Sequence, residues 1–188
     1  MNTPPNLLSA ANSLLILVDI QAKLLAVMAE TEAQLMTANT GVLLHASGLL
    51  NIPVLLTEQY PKGLGATDAG IVRQLPAATP VFEKTGFSCC AAEGFDAALV
   101  SSSRKQVILT GLEAHVCVLQ TALELSHNGY QVYVVEDAVC SRKAEHKSYA
   151  LQRMQQQGIT VINYESVLFE WLRDARHPDF RRISSLLR

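Results

Sequence analysis

The sequence predicts an α/β fold, a three-layer α-β-α domain on an open sheet of about six parallel strands, and three observations carry that prediction. Short continuous apolar runs such as Leu14-Leu15-Ile16-Leu17-Val18 alternate with longer segments of helical periodicity, as expected of strands covered on both faces and joined by crossover helices. Hydrophobic residues make up 49% of the 188 residues, which suits one domain with a full core. Repeated motifs, low-complexity tracts and long linkers are absent from the sequence, so residues 1–188 read as a single domain.

The elements follow in order. Leu14 to Val18 is the first strand, with Asp19 at its carboxyl end. From about Thr31 to Leu50, Leu35, Val42, Leu43 and Leu49 form much of an apolar helical stripe, which Asn51 ends. Pro53-Val54-Leu55-Leu56-Thr57 is the second strand, since proline is tolerated at a first strand residue. The polar, glycine-containing stretch from Glu58 to Thr67 reads as a loop. A short helix from about Asp68 to Leu75 leads to Pro76, and Pro80-Val81-Phe82-Glu83 gives the third strand, with Lys84 just beyond it.

A helix over Glu93 to Val100 precedes the fourth strand, Gln106 to Thr110, which meets a glycine turn at Gly111. The next helix begins near Ala114 and stops at Asn128-Gly129. Gln131 to Val135 is the fifth strand, and Asp137 is placed to cap the turn after it. A helix from Lys143 to Gln157 stops at Gly158, Ile159 to Ile162 is the sixth strand, and the last helix is Ser166 to Arg173. Residues 174–188 read as a C-terminal arm suited to packing on a neighbouring subunit. Such alternation is Rossmann-like, because each crossover must bury its apolar side against the sheet.

Composition excludes some functions. A net charge of −2 and a pI near 6.2 predict neither a nucleic-acid face nor a membrane-binding one. Arg176, Arg181, Arg182 and Arg188 make a weak basic patch, read as solubilising or interface residues. Four cysteines, of which Cys89 and Cys90 are adjacent, suggest reduced thiols more than disulfide staples. Met1 to Asn12 has no basic region ahead of an apolar one, and the run Ser13 to Val18 is too short to span a bilayer. A cytoplasmic protein is the expectation.

Cys117 is the most informative residue. It opens the apolar helical stretch Val116 to Leu125 just after a strand and a glycine, where free backbone N–H groups and the helix dipole favour a thiolate. In open parallel sheets ligands gather beyond the carboxyl ends of strands, so Asp19, Lys84 and Cys117 fall on one rim. Cysteine can attack an electrophilic carbonyl, aspartate can accept and return its proton, and lysine can stabilise both anions. A rim ion pair beside an unrelated core cysteine is the bland alternative.

Three stretches carry a family resemblance: Leu14 to Gln21 (LLILVDIQ), Phe82 to Ser88 (FEKTGFS) and Leu109 to Val118 (LTGLEAHVCV). They resemble the signature regions of isochorismatase-like cysteine hydrolases, a superfamily that also includes nicotinamidases and N-carbamoylsarcosine amidohydrolases. The similarity runs from about Ser13 to Trp171. It implies a triad of Asp19 as general base and acid, Lys84 as electrostatic orienter and Cys117 as nucleophile. It also implies a cis peptide between Leu112 and Glu113, and an oxyanion hole made by the N–H groups of Glu113 and Cys117. Homo-oligomerisation is a further implication.

Where nicotinamidases of this superfamily carry an Asp-x-His metal motif, this chain reads Thr57-Glu58-Gln59-Tyr60-Pro61. His45, His115, His127, His146 and His177 have no zinc-ligand spacing with the cysteines. No catalytic metal or other cofactor is therefore expected. The stretch Leu56 to Gly65 resembles the isochorismatase domain-containing branch. Gln21, Tyr60, Phe87 and His115 are candidate pocket residues by proximity to the motifs, with rim packing as the alternative. Cys89, Cys90 and Cys140 read as packing residues, Glu83 as solvent-facing, and Gly63 and Gly65 as loop hinges. The expected activity is metal-independent cleavage of a small amide or carbamoyl compound through a thioester. The alternative is a catalytically weak ligand-binding or assembly protein; a redox cysteine fits poorly, since Cys117 lacks a Cys-x-x-Cys partner.

Overall fold

The structure is a computed structural model that describes residues 6–187. Its centre is one six-stranded sheet, β1 (Ser13–Val18), β2 (Val54–Gln59), β3 (Val81–Lys84), β4 (Gln106–Leu112), β5 (Gln131–Cys140) and β6 (Thr160–Ile162). The strands lie in the order β3-β2-β1-β4-β5-β6 and every neighbouring pair is parallel. The chain winds outward from β1 to β3, then returns to place β4 on the other side of β1. The crevice at the carboxyl ends of β1 and β4 is thus the switch point where such sheets bind ligands.

Every residue of β1 is buried, because alternate side chains feed two different cores. Leu15 and Leu17 pack with Leu43 and Leu44 of the helix Glu30–Leu49 and with Val167, Leu168 and Trp171 of the helix Tyr164–Leu172. Leu14, Ile16 and Val18 pack on the other face with Phe95 and Leu99 of the helix Phe95–Ser102, Leu125 of Leu119–His127 and Met154 of Ala144–Gln156. Burying each of these aliphatic side chains contributes roughly 1.5–3 kcal/mol. Trp171, the single tryptophan, donates its indole N–H to Ser13 Oγ at 2.9 Å, tying the last long helix to the start of β1.

Several boundaries differ from expectation for identifiable reasons. Strand β2 runs on to Gln59, so Glu58 and Gln59 are strand residues; Glu58 accepts from the Thr67 amide and hydroxyl, both at 2.7 Å. Within the stretch read as a loop, Pro61–Leu64 makes a helical turn. The helix expected from Asp68 narrows to Ala69–Val72, capped by the Asp68 carboxylate on the Gly70 amide at 2.8 Å. Strand β5 continues to Cys140, because its pairing with β4 shifts between Leu109 and Gly111 and then resumes. Asp137 therefore lies inside β5, and its carboxylate accepts from the Tyr164 amide at 2.9 Å, at the start of the Tyr164–Leu172 helix.

Gly111 is not a turn but the sixth residue of β4, with φ +118°. A Cβ there would stand 2.1 Å from the Val18 carbonyl oxygen, so only glycine lets the ends of β1 and β4 close on each other. The tail packs on its own chain: Ile183 of the helix Phe180–Ser184 is fully buried, and Phe180 and Leu187 lie against the same core. Residues 1–5 and Arg188, which end the expected single domain and its arm, lie outside the described residues. Among the described residues no helix is long and apolar enough to cross a membrane.

Candidate functional site

Three strand ends supply the site. Immediately after β1, Asp19 takes a left-handed conformation, φ 54°, which aspartate tolerates better than most residues. Its carboxylate accepts from the Thr57 hydroxyl at 2.8 Å and from the Lys84 ammonium at 2.7 Å. Lys84 is the last residue of β3 and its side chain, like that of Asp19, is fully shielded from solvent. The ammonium also donates to Gln59 Oε1 at 2.7 Å and the Phe87 carbonyl at 2.9 Å, with the Gly86 carbonyl at 3.4 Å. A buried charge is tolerated only when paired and hydrogen-bonded in this way.

Cys117 enters from the other side of the switch point. After β4, Glu113 adopts φ 54° and ψ 63°, and a π-helical turn over Ala114–Val118 precedes the helix Leu119–His127. Turns of this type recur at functional sites. The Val116 amide donates to the Glu113 carbonyl at 2.8 Å, closing the turn. No cis peptide occurs among the described residues, which corrects the cis bond expected between Leu112 and Glu113. The left-handed residue Glu113 redirects the chain there instead.

The thiol also departs from the sequence-based expectation of a favoured thiolate. Burial pushes the Cys117 thiol up first, and the Asp19 carboxylate pushes it up further; Lys84 opposes them. Only 5% of Cys117 is exposed, and desolvation and a neighbouring negative charge outweigh the helix terminus. Cys89 is similar, pushed up to about 12 by burial and then by Asp19. Its sulfur lies 3.5 Å from the Thr57 hydroxyl, which also serves Asp19. Thr121 completes this layer by accepting from the Cys89 amide at 2.9 Å and donating to the Cys117 carbonyl at 2.7 Å.

A cavity of about 340 Å³ lies over Cys117, walled by Leu24, Val27, Leu64, Phe87 and Val116, with Gln59, Glu113 and Arg142 as its polar members. Of the sequence-based pocket candidates, Phe87 lines it. Gln21 is fully buried and spends its amide on the Gln59 backbone, on both N–H and carbonyl, and on the Gly65 carbonyl, so it braces the loop. Tyr60 is left-handed at φ 38° and lines a separate groove with Glu83 and Thr85. His115 is not among the residues lining the Cys117 cavity; it bonds to Ser141 Oγ at 3.1 Å, lies 3.3 Å from Glu113 Oε2, and its ring meets that of His146 at a tilt of 47° with centres 4.6 Å apart. Burial holds its pKa down, against the pull of Glu113.

Sequence reasoning missed Thr57 and Gln59 as partners of the ion pair and Arg142 as a cavity residue. Arg142 Nε is 2.5 Å from Glu113 Oε1, and no local pattern links residues that distant stretches of chain bring together. All four cysteines are free. Among the described residues no three His, Cys, Asp or Glu side chains gather in a way that could hold a metal ion.

Comparison with known proteins matches residues 13–166 to the isochorismatase domain. Isochorismatase domain-containing protein 2 of Danio rerio is 40% identical over 182 residues, covering 96% of this chain and 89% of that protein. The matched share of curated relatives runs from about half to about nine tenths of their length. A solved structure described as the MAR1 ribonuclease of Caenorhabditis elegans superposes with a TM-score of 0.89 at 35% identity, covering 96% of this chain and 91% of that one. The YcaC gene product of Escherichia coli, described as an octameric hydrolase of unknown specificity, gives a TM-score of 0.86 at 27% identity, covering 98% of this chain and 97% of that one. A carboxylate and an ammonium paired beneath a thiol at a sheet switch point, together with a domain match across most of the sequence, place the chain in the isochorismatase family of hydrolases.

Proposed function

We propose that the protein is a metal-independent cysteine hydrolase that cleaves a C–N bond of a small amide or carbamoyl compound through a thioester. The observation that carries this reading is the buried Asp19–Lys84 pair, 2.7 Å between charged atoms, beside a Cys117 thiol whose pKa burial, and then the Asp19 carboxylate, push up. A carboxylate beside a thiol is placed to take its proton as the sulfur attacks, so no free thiolate need accumulate at rest. Lys84 holds that carboxylate by charge and, with Thr57, fixes both its oxygens.

In the proposed sequence Cys117 Sγ bonds to the carbonyl carbon while its proton passes to Asp19. The oxygen becomes an oxyanion, received by the N–H groups of Glu113 and Cys117. The C–N bond then breaks, the electron pair leaves with nitrogen, and Asp19 returns the proton to the amine. Water, deprotonated by Asp19, attacks the thioester; the acid departs and Cys117 regains its proton. The donor set does not suggest a metal beside this path: at Gln59 the side chain is an amide, already committed to Lys84 and to the Thr85 carbonyl at 2.8 Å.

Screening small amides, ureas and carbamates for ammonia or amine release, with intact-mass spectra during turnover, tests the reading. An acyl adduct on the wild type that is absent from Cys117→Ala, with activity unchanged by chelators, is expected; a metal-restorable loss would overturn it. Ribonuclease activity is a second reading, favoured by the description of the C. elegans structure. The apolar walls above Cys117 and the net charge of −2 weigh against it, and a labelled RNA included in the same screen separates the two. Assembly into a homo-oligomer in the cytoplasm is part of the proposal, with the octameric E. coli relative as its support. Light scattering of the purified chain measures it.

A further inference from the structure

Resting on the hydrolase reading, we infer that the substrate is an uncharged carboxamide with an apolar acyl group, and that Leu24, Val27, Leu64, Phe87 and Val116 select it. These five side chains wall the cavity over Cys117, so whatever is bonded to the attacked carbonyl must lie against hydrocarbon. Each cation within reach already faces a carboxylate. Lys84 is 4% exposed and held by Asp19, Gln59 and the Phe87 carbonyl. Arg142, at the rim with its side chain 56% exposed, is paired through Nε with Glu113 Oε1, so the rim bears no net charge.

Gln59, the remaining polar wall residue, has its side-chain oxygen on Lys84 and its nitrogen on Thr85. An acyl group carrying a carboxylate would therefore be stripped of water against hydrocarbon and would have to compete with Glu113 for Arg142, and one carrying an ammonium would have to compete with Arg142 for Glu113. A cavity of about 340 Å³ lies at the small end of ligand sites, which run from roughly 300 to 1,000 Å³. Within it each added methylene buries surface worth about 0.8 kcal/mol, a factor of about four.

The test uses the full chain, a series of unbranched primary amides from propionamide to hexanamide, and succinamate, which has as many non-hydrogen atoms as hexanamide. Wild-type kcat/KM for ammonia release is expected to rise about fourfold per methylene until the cavity fills, with succinamate about a hundredfold below hexanamide. Calorimetric titration of Cys117→Ala with the same compounds reads the preference without chemistry. Binding that rises with chain length in a wild type that turns nothing over removes the hydrolase reading and keeps this one. Binding that is flat along the series, or that favours succinamate, overturns the inference. Val27 is 56% exposed, so Val27→Lys should fold; the expected result is a shift of preference towards succinamate of at least about tenfold, and an unchanged ratio counts against Val27 as a selecting wall.

Discussion

Replacing Lys84 by methionine tests whether the paired charges are truly buried. Methionine keeps much of the volume but leaves the Asp19 carboxylate with the Thr57 hydroxyl as its remaining side-chain partner of fixed geometry, at 2.8 Å. Removing one member of a buried pair costs about 3–5 kcal/mol. With a urea dependence of roughly 2 kcal/mol per molar, the unfolding midpoint near neutral pH should fall by about 2 M.

Urea unfolding at one protein concentration measures this, the fixed concentration removing any contribution from assembly. A penalty under about 1 kcal/mol, typical of an exposed pair, would refute the reasoning. With Asp19 no longer held by Lys84, proton transfer from the thiol should weaken and hydrolysis should fall, by up to about 10²–10⁴-fold.

Other substitutions probe neighbouring parts of the argument. Asp19→Asn keeps the left-handed backbone accessible while removing the charge that holds the Cys117 proton; iodoacetamide should label Cys117 faster than in wild type even as hydrolysis disappears. In the wild type, labelling should keep rising with pH beyond the ordinary thiol range near 8.5, since burial and Asp19 push that thiol up; a plateau below about 8 would contradict it. Gly111→Ala places a methyl 2.1 Å from the Val18 carbonyl oxygen at a positive φ, so a loss of more than about 2 kcal/mol, or no soluble protein, is expected by thermal unfolding. Trp171→Phe loses the 2.9 Å bond to Ser13 Oγ and should cost about 1 kcal/mol by denaturant unfolding.

The strands were legible where one residue pattern answered to one environment. Leu14 to Val18 is apolar without interruption because both faces of β1 meet helices, and that pattern locates Asp19 at its end. Lys84 and Cys117 were reachable for the same reason, each lying at or just past a strand terminus. What stayed hidden depends on register and on left-handed residues. The Thr57 hydroxyl meets Asp19 only because β1 and β2 pair with Val18 opposite Thr57, and the continuation of β5 to Cys140 depends on a register shift against β4. Residue types do not encode either pairing. Tyr60 and Glu113 are left-handed without being glycine or asparagine, a conformation costing of order 1–3 kcal/mol that tertiary contacts must enforce.

Those enforced turns bear on how the sulfur is activated. A helix-terminal cysteine read in isolation suggests a resting thiolate, yet the Asp19 carboxylate beside it raises the cost of that anion. In the proposed mechanism the same carboxylate accepts the proton, so the group that disfavours the thiolate at rest would be the one that removes the proton as the sulfur attacks. Lys84 mediates between the two states: it balances the carboxylate before transfer, and its charge favours the sulfur anion as Asp19 becomes neutral. A protonated thiol reacts slowly with stray electrophiles, while a bound carbonyl beside donors aimed at its oxygen can draw the proton across. On the proposed mechanism, activation and protection of the sulfur both depend on one pair of charges, and for that reason Asp19→Asn should separate the two properties, raising nonspecific labelling while hydrolysis is lost.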